Sequence, residues 1–237
     1  MDIKLIAMDL DGTLTQHKTK LSEEYRAILS RLSGKYKLLM VGAGTTRRIF
    51  EQMNRFPIDI IGNYGMQYSV YNHSTNDIEI CFDNTLPCDR ESIEKRVASL
   101  REKYNFNTYK GDSVEYHPSG CVTIPILGTK ADIADKLAFD PDRKKRRAIY
   151  EDVKSVFSDY TVFVGGSSSF DMAPFPYDKA YALSKYAIEN GYKHGEIAYI
   201  GDDYGEGGND ESVYKSDFCY LKIDSYLDFP SVVKHLL

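Results

Sequence analysis

Three short, unbroken apolar runs limit the fold most. They are Leu5-Ile6-Ala7-Met8, Leu38-Leu39-Met40-Val41 and Ile197-Ala198-Tyr199-Ile200, and each stops at Gly or Asp. A strand with one wet face alternates apolar and polar residues. An unbroken run of four is buried on both faces, as in a parallel sheet covered by helices. Helical spacing fills the intervals. Leu21, Tyr25, Ile28, Leu29 and Leu32 precede Gly34, and Ile49, Phe50 and Met53 follow a cap at Thr45 or Thr46. Lys179 to Asn190 reads as a helix closed by Gly191. Asp59-Ile60-Ile61 adds a strand, and residues 68–71 and 78–82 flank a hairpin. Phe218 to Ile223 and Leu227 to Leu237 predict a last strand and a last helix.

The texture changes between 84 and 174. Ile93, Val97, Leu100 and Tyr104 mark one helix, and strand-like pieces follow at 114–116, 122–125, 162–164 and 170–173. A charged helix is expected at 143–157, with Arg143-Lys144-Lys145-Arg146-Arg147 on a solvated face. The expected class is α/β. A Rossmann-like doubly wound parallel sheet spans 1–83 and 175–237, and an inserted α+β cap domain spans 84–174. Ligands of such sheets gather at the carboxyl ends of the strands.

Composition narrows the partners. A formal charge of −5 argues against general nucleic-acid or anionic-membrane binding. Cys81, Cys88, Cys121 and Cys219 form no C-x-x-C pair, which fits reduced thiols in a cytoplasmic protein better than zinc or disulfides. No run nears the ~20 apolar residues of a membrane span, and Asp9 and Asp11 interrupt the one early apolar stretch, so no signal peptide is expected.

The chemistry-bearing residues stand at strand ends. In Asp9-Leu10-Asp11-Gly12-Thr13-Leu14, two carboxylates two residues apart on an extended segment face one way. Like charges that close need a cation or a proton between them. The hexapeptide resembles the first motif of the haloacid dehalogenase (HAD) superfamily of phosphohydrolases and phosphomutases. The resemblance implies that Asp9 attacks phosphorus and that Asp11 serves as general acid and base. It also implies that Thr13 holds the loop or the phosphate. In Val41-Gly42-Ala43-Gly44-Thr45-Thr46, Thr45 is our choice for the phosphate-binding hydroxyl, with Gly44 offering its amide; a plain strand–turn–helix junction is the alternative. Lys179 matches the third motif and would neutralise phosphate and Asp9. Gly201-Asp202-Asp203 and Gly207-Gly208-Asn209-Asp210 match the fourth. The implied cofactor is Mg2+, held by Asp9, the main-chain carbonyl of Asp11, and Asp202, with Asp203, Asn209 and Asp210 as further candidates.

Val164-Gly165-Gly166, Ser169-Phe170-Asp171, Tyr177-Asp178-Lys179 and the 201–211 loop look like eukaryotic-type phosphomannomutase, a Cof/type IIB-like branch of that superfamily. Ser169 and Asp171 match cap positions that contact the sugar phosphate. The family grips the distant phosphate with arginines, where this chain has His117, Thr129, Lys136 and Lys18. Arginine presents a bidentate fork; lysine is a single flexible charge and threonine has none. Loss of the forks favours water over a sugar as acceptor. The expected activity is thus a hexose-phosphate phosphatase, with a hexose phosphomutase interconverting mannose 1-phosphate and mannose 6-phosphate as the alternative. The expected state is monomer or homodimer.

Overall fold

The structure is a computed structural model that describes residues 2–237. In chain order its elements are β1 (Leu5–Met8), α1 (Glu23–Ser33), β2 (Lys37–Val41), α2 (Thr46–Gln52), β3 (Asp59–Gly62), β4 (Gln67–Asn72) and β5 (Asp77–Asp83). Then come α3 (Arg90–Lys103), β6 (Glu115–Tyr116), β7 (Val122–Pro125), α4 (Ile133–Phe139), α5 (Lys144–Arg147), α6 (Tyr150–Val156), β8 (Tyr160–Phe163) and β9 (Ser169–Pro174). The last are α7 (Lys179–Asn190), β10 (Ile197–Gly201), α8 (Glu211–Tyr214), β11 (Cys219–Lys222) and α9 (Phe229–Val232). Contacts divide the chain into two units: Met1–Asn84 with Asp178–Gly205 and Asp210–Leu237, and Thr85–Tyr177 with Glu206–Asn209.

The first unit is built on a seven-stranded sheet in the order β11-β10-β1-β2-β3-β4-β5. The pairs from β11 to β3 are parallel, and β4 and β5 add an antiparallel hairpin at one edge. All four β1 residues are fully buried because alternate side chains enter two cores. Ile6 and Met8 pack with Leu29, Met40 and Phe50, while Leu5 and Ala7 pack with Leu39, Leu183 and Tyr199. Each such aliphatic side chain contributes roughly 1.5–3 kcal/mol by leaving water. Caps set the helix starts: Ser22 accepts from Tyr25 N at 3.2 Å and Thr45 from Arg48 N at 3.2 Å.

The expected C-terminal helix over 227–237 is a correction. It shrinks to a 3₁₀ turn and the four residues of α9, although Phe229, Val233 and Leu236 are buried. Leu227 is 66% exposed, so the apolar stripe is too short to carry helix propagation past its costly nucleus.

The second unit holds an antiparallel sheet, β6-β7-β9-β8. Ile93, Val97 and Leu100 of α3 pack on Val122, Ile124, Phe170 and Met172. The helix α4 was not expected; it buries no residue and so lacks the stripe that marks a helix in sequence. The charged helix expected at 143–157 is two short helices, α5 and α6. Its basic run is not wholly a solvated face either. Arg146 is fully buried: Nε donates to Asp140 Oδ2 at 2.9 Å, and Nη1 donates to Ser169 O at 2.9 Å and to Gly165 O. Five fixed donors meeting one carboxylate and several carbonyls make an inward arginine tolerable where a lysine would not be. Arg146→Met should lower the unfolding free energy by about 3 kcal/mol, because Asp140 is left buried and unpaired. Urea unfolding followed by circular dichroism checks this, and a midpoint equal to wild type would refute it.

Candidate active site

The strand ladder places the first carboxylate. Asp9 N donates to Ile200 O at 3.0 Å, extending the β1–β10 pairing one residue past the strand, and Asp9 is only 6% exposed. Asp178 caps α7 by accepting from Tyr181 N at 2.7 Å, which puts Lys179 at the first helical position. The Lys179 ammonium is fully buried, 2.9 Å from Asp9 Oδ1 and 2.7 Å from Asp210 Oδ1. Asp210 also accepts from Tyr199 OH at 2.6 Å and from Asp203 N at 3.0 Å. It therefore anchors the lysine and the 202–210 loop together. Two glycines make room for these carboxylates. Gly12 has φ +94°, and a Cβ there would lie 2.3 Å from Asp202 Oδ2; one on Gly201 would lie 2.5 Å from Asp210 Oδ2.

Asp9, Asp202 and Asp210 each offer an oxygen within 4.8 Å of the others. Burial pushes the Asp9 carboxyl up to about 8, against the pull of Lys179 and with the push of Asp210 and Asp202. Burial and Asp210 raise Asp202 to about 6, although Thr13 and Lys179 oppose the shift. Crowded oxygens that hold protons this firmly are a donor set suited to a hard divalent cation. Both carboxyls bind protons more tightly folded than unfolded, so the metal-free fold gains from protonation at low pH and loses that gain as pH rises through about 6 and then about 8. In EDTA, Tm should fall between pH 5.5 and 8.5, and Mg2+ should recover more at the higher pH. Scanning calorimetry of wild type and Asp9→Asn tests this, since the group at about 8 carries most of the slope in this window; an unchanged slope in Asp9→Asn would place the titration elsewhere.

The other expected residues divide. Thr13 is fully buried and donates to Asp202 Oδ1 at 2.8 Å, so its hydroxyl positions that carboxylate. Thr45 caps α2, and Gly44 lies under the Arg48 side chain, where a Cβ would meet Nη1 at 3.1 Å. The Asp11 side chain stands outside the trio and is bound by Arg48 Nη2 at 2.7 Å, Gln52 Nε2 at 2.6 Å and Lys18 N at 2.7 Å. Asp203 reaches Asp210 through its own main chain: its N donates to Asp210 Oδ2 and its O accepts from Asp210 N, each at 3.0 Å. Asn209 belongs to the Glu206–Asn209 segment of the second unit. Within that unit, His117 Nε2 lies 3.1 Å from Thr123 Oγ1, which donates to Asp171 Oδ1 at 3.0 Å. Ser169 Oγ donates to Gly165 O at 3.1 Å and approaches Asp171 Oδ1 at 3.3 Å. Burial raises the Asp171 carboxyl, with Thr123 and His117 opposing. Lys136 Nζ donates to Thr129 O at 3.1 Å, on α4 and away from that chain of bonds. Three residues of the core site carry no expectation from sequence: Arg48, Gln52 and Tyr199. The i, i+4 spacing of Arg48 and Gln52 puts both on one face of α2, the one signal that could have found them.

The profile of the eukaryotic phosphomannomutase family matches residues 25–222, most of the chain and parts of both units. The chain belongs to the eukaryotic phosphomannomutase family. The phosphomannomutase of Drosophila melanogaster is 27% identical over 220 residues, covering 89% of this chain and 85% of that protein. The Saccharomyces cerevisiae phosphomannomutase is 26% identical over 226 residues, covering 89% and 84%. Among solved structures, a Bacteroides thetaiotaomicron HAD-superfamily phosphatase superposes with TM-score 0.66 at 16% identity, over 99% of this chain and 95% of that one. A HAD-like hydrolase from B. subtilis gives 0.63 at 15% identity, over 97% and 92%. The fold is the HAD fold, and this member of the phosphomannomutase family is an enzyme of HAD type whose chemistry is phosphoryl transfer.

Proposed function

We propose that the chain is a hexose phosphomutase working through a phosphorylated Asp9. The observation that carries this is the extent of the family match, which runs through the second unit as well as the first. This displaces the phosphatase from first place, since whether water or sugar is the acceptor depends on how the sugar is held. Asp9 Oδ1 is held by Lys179, which leaves Oδ2 to attack phosphorus. A bond forms from Asp9 to phosphorus, the bond from phosphorus to the sugar oxygen breaks, and Asp11 protonates that oxygen. The second half reverses these roles with another sugar hydroxyl. Lys179 neutralises charge that spreads over the transferred group. Asp9, Asp202 and the main-chain carbonyl of Asp11 would hold Mg2+, with Asp210 beside them, and the ion would add charge stabilisation to the same group.

A phosphatase remains the second reading, and one observation favours it. The positions where the family carries arginine forks hold His117, engaged with Thr123, and Lys136, engaged with Thr129. Incubation with mannose 1-phosphate, with and without a hexose bisphosphate activator, separates the two. The mutase should yield mannose 6-phosphate with little free phosphate and a large activator effect. Stoichiometric phosphate release without isomerisation would give the phosphatase instead.

A further inference from the structure

Asp11 is the acid–base in the function just proposed, and the inference here rests on that assignment. Its carboxylate has four lone-pair sites. Lys18 N at 2.7 Å and Gln52 Nε2 at 2.6 Å take both sites on Oδ1, and Arg48 Nη2 at 2.7 Å takes one on Oδ2. Oδ2 thus carries one of these three bonds and Oδ1 two, and His17 Nδ1 stands 4.0 Å from Oδ1. Gln52 cannot turn over. Its Nε2 also donates to Thr15 Oγ1 at 3.1 Å, Thr15 donates on to Leu10 O at 3.3 Å, and its Oε1 lies 3.5 Å from Arg48 Nη2. A flipped amide would point an oxygen at the Asp11 carboxylate and lose both donors. Gln52 is 9% exposed, so no crowd of waters stands ready to replace it.

We propose that Gln52 is a positioning residue that, with Arg48 and the Lys18 amide, holds the Asp11 carboxylate in place and reserves Oδ2 as the atom that takes the proton of the incoming hydroxyl. In that half-reaction the hydroxyl oxygen bonds to phosphorus and the bond from phosphorus to Asp9 breaks. Asp9 leaves as a carboxylate, and the hydroxyl proton passes to Asp11 Oδ2. The clamp fixes the direction in which Asp11 meets the incoming hydroxyl, so it serves release of the phosphoryl group from Asp9.

The test is rapid-quench kinetics with p-nitrophenyl phosphate and Mg2+. Its leaving group departs without a proton, so the first half does not need Asp11. Gln52→Met should keep a burst of about one nitrophenolate per enzyme, while the steady-state rate falls at least ~10-fold, within the usual worth of acid–base groups. Phosphorylated protein should then accumulate, seen as intact mass after acid quench. Arg48→Met, at a half-exposed side chain, should show the same split more weakly, and Arg48→Lys should restore part of the rate. Equal loss of burst and steady state in Arg48→Met would make the role merely structural and overturn the proposal, as would unchanged steady-state rates in both variants. Asp11→Asn is the separate control. If it turns over at the wild-type rate, the acid–base assignment itself fails; if it gives a burst without turnover and Gln52→Met matches wild type, only the role of Gln52 fails.

Discussion

Lys179→Met should be the most damaging single change, losing both fold and activity. The ammonium is fully buried between Asp9 and Asp210, at 2.9 and 2.7 Å. Without it three carboxylates share a nearly dry space with no opposing charge, and breaking such a buried pair costs about 3–5 kcal/mol. That is a large part of the stability of an ordinary domain. The carboxylates hold Lys179 protonated, well above its usual range, so no accessible pH neutralises it in place. Mg2+ should recover part of the stability by supplying positive charge, but not turnover. Denaturant melts with EDTA and with Mg2+, beside p-nitrophenyl phosphate turnover, measure both effects. A Lys179→Met protein of wild-type midpoint in EDTA would show that the carboxylates are protonated and the ion pair is not formed.

Asp9→Asn should leave a folded protein that does almost nothing. The amide keeps the shape of the side chain and removes one charge from the crowded trio, so the metal-free Tm should hold or rise above pH 7, where burial makes the charged form costly. Turnover should drop by roughly four or more orders of magnitude, because a neutral amide cannot take the phosphoryl group. No phosphorylated protein should appear on acid quench. Full turnover by Asp9→Asn would mean another residue attacks phosphorus, and the assignment of the whole strand end would have to be redrawn.

The architecture was open to sequence wherever burial leaves a one-dimensional trace. The β1, β2 and β10 runs are legible because strands covered on both faces cannot carry polar residues. The same logic fails for α4, whose apolar Ile133 and Leu137 are 69% and 59% exposed, and for Arg146, where a charged residue points inward among charged neighbours. At the site, motif order led to Asp9, Lys179 and Asp202, which the fold brings together from residues far apart in the chain. Thr13 shows the limit: its type and place were clear, but the partner of its hydroxyl, Asp202, depends on how closely β1 and β10 approach. Gln52 was nearly invisible for the same reason. Its i, i+4 spacing from Arg48 is the one trace a sequence carries, and only the tertiary position of α2 turns both side chains toward Asp11.

The central place of β1 bears on how the chain is made. Leu5 pairs with Lys37 on one side and with Ile197 on the other. As the chain leaves the ribosome, β2 and β3 arrive early, but the second edge of β1 stays bare until residues near 200 emerge. For most of synthesis an apolar strand therefore presents unpaired amides, the kind of surface that templates association between chains. The Thr85–Tyr177 part of the second unit is made in that interval and can fold first from its own local pairings. Closure of the catalytic crevice is consequently a late, long-range event, and variants that weaken the β1–β10 seam should be lost to aggregation in the cell before their chemistry can be judged.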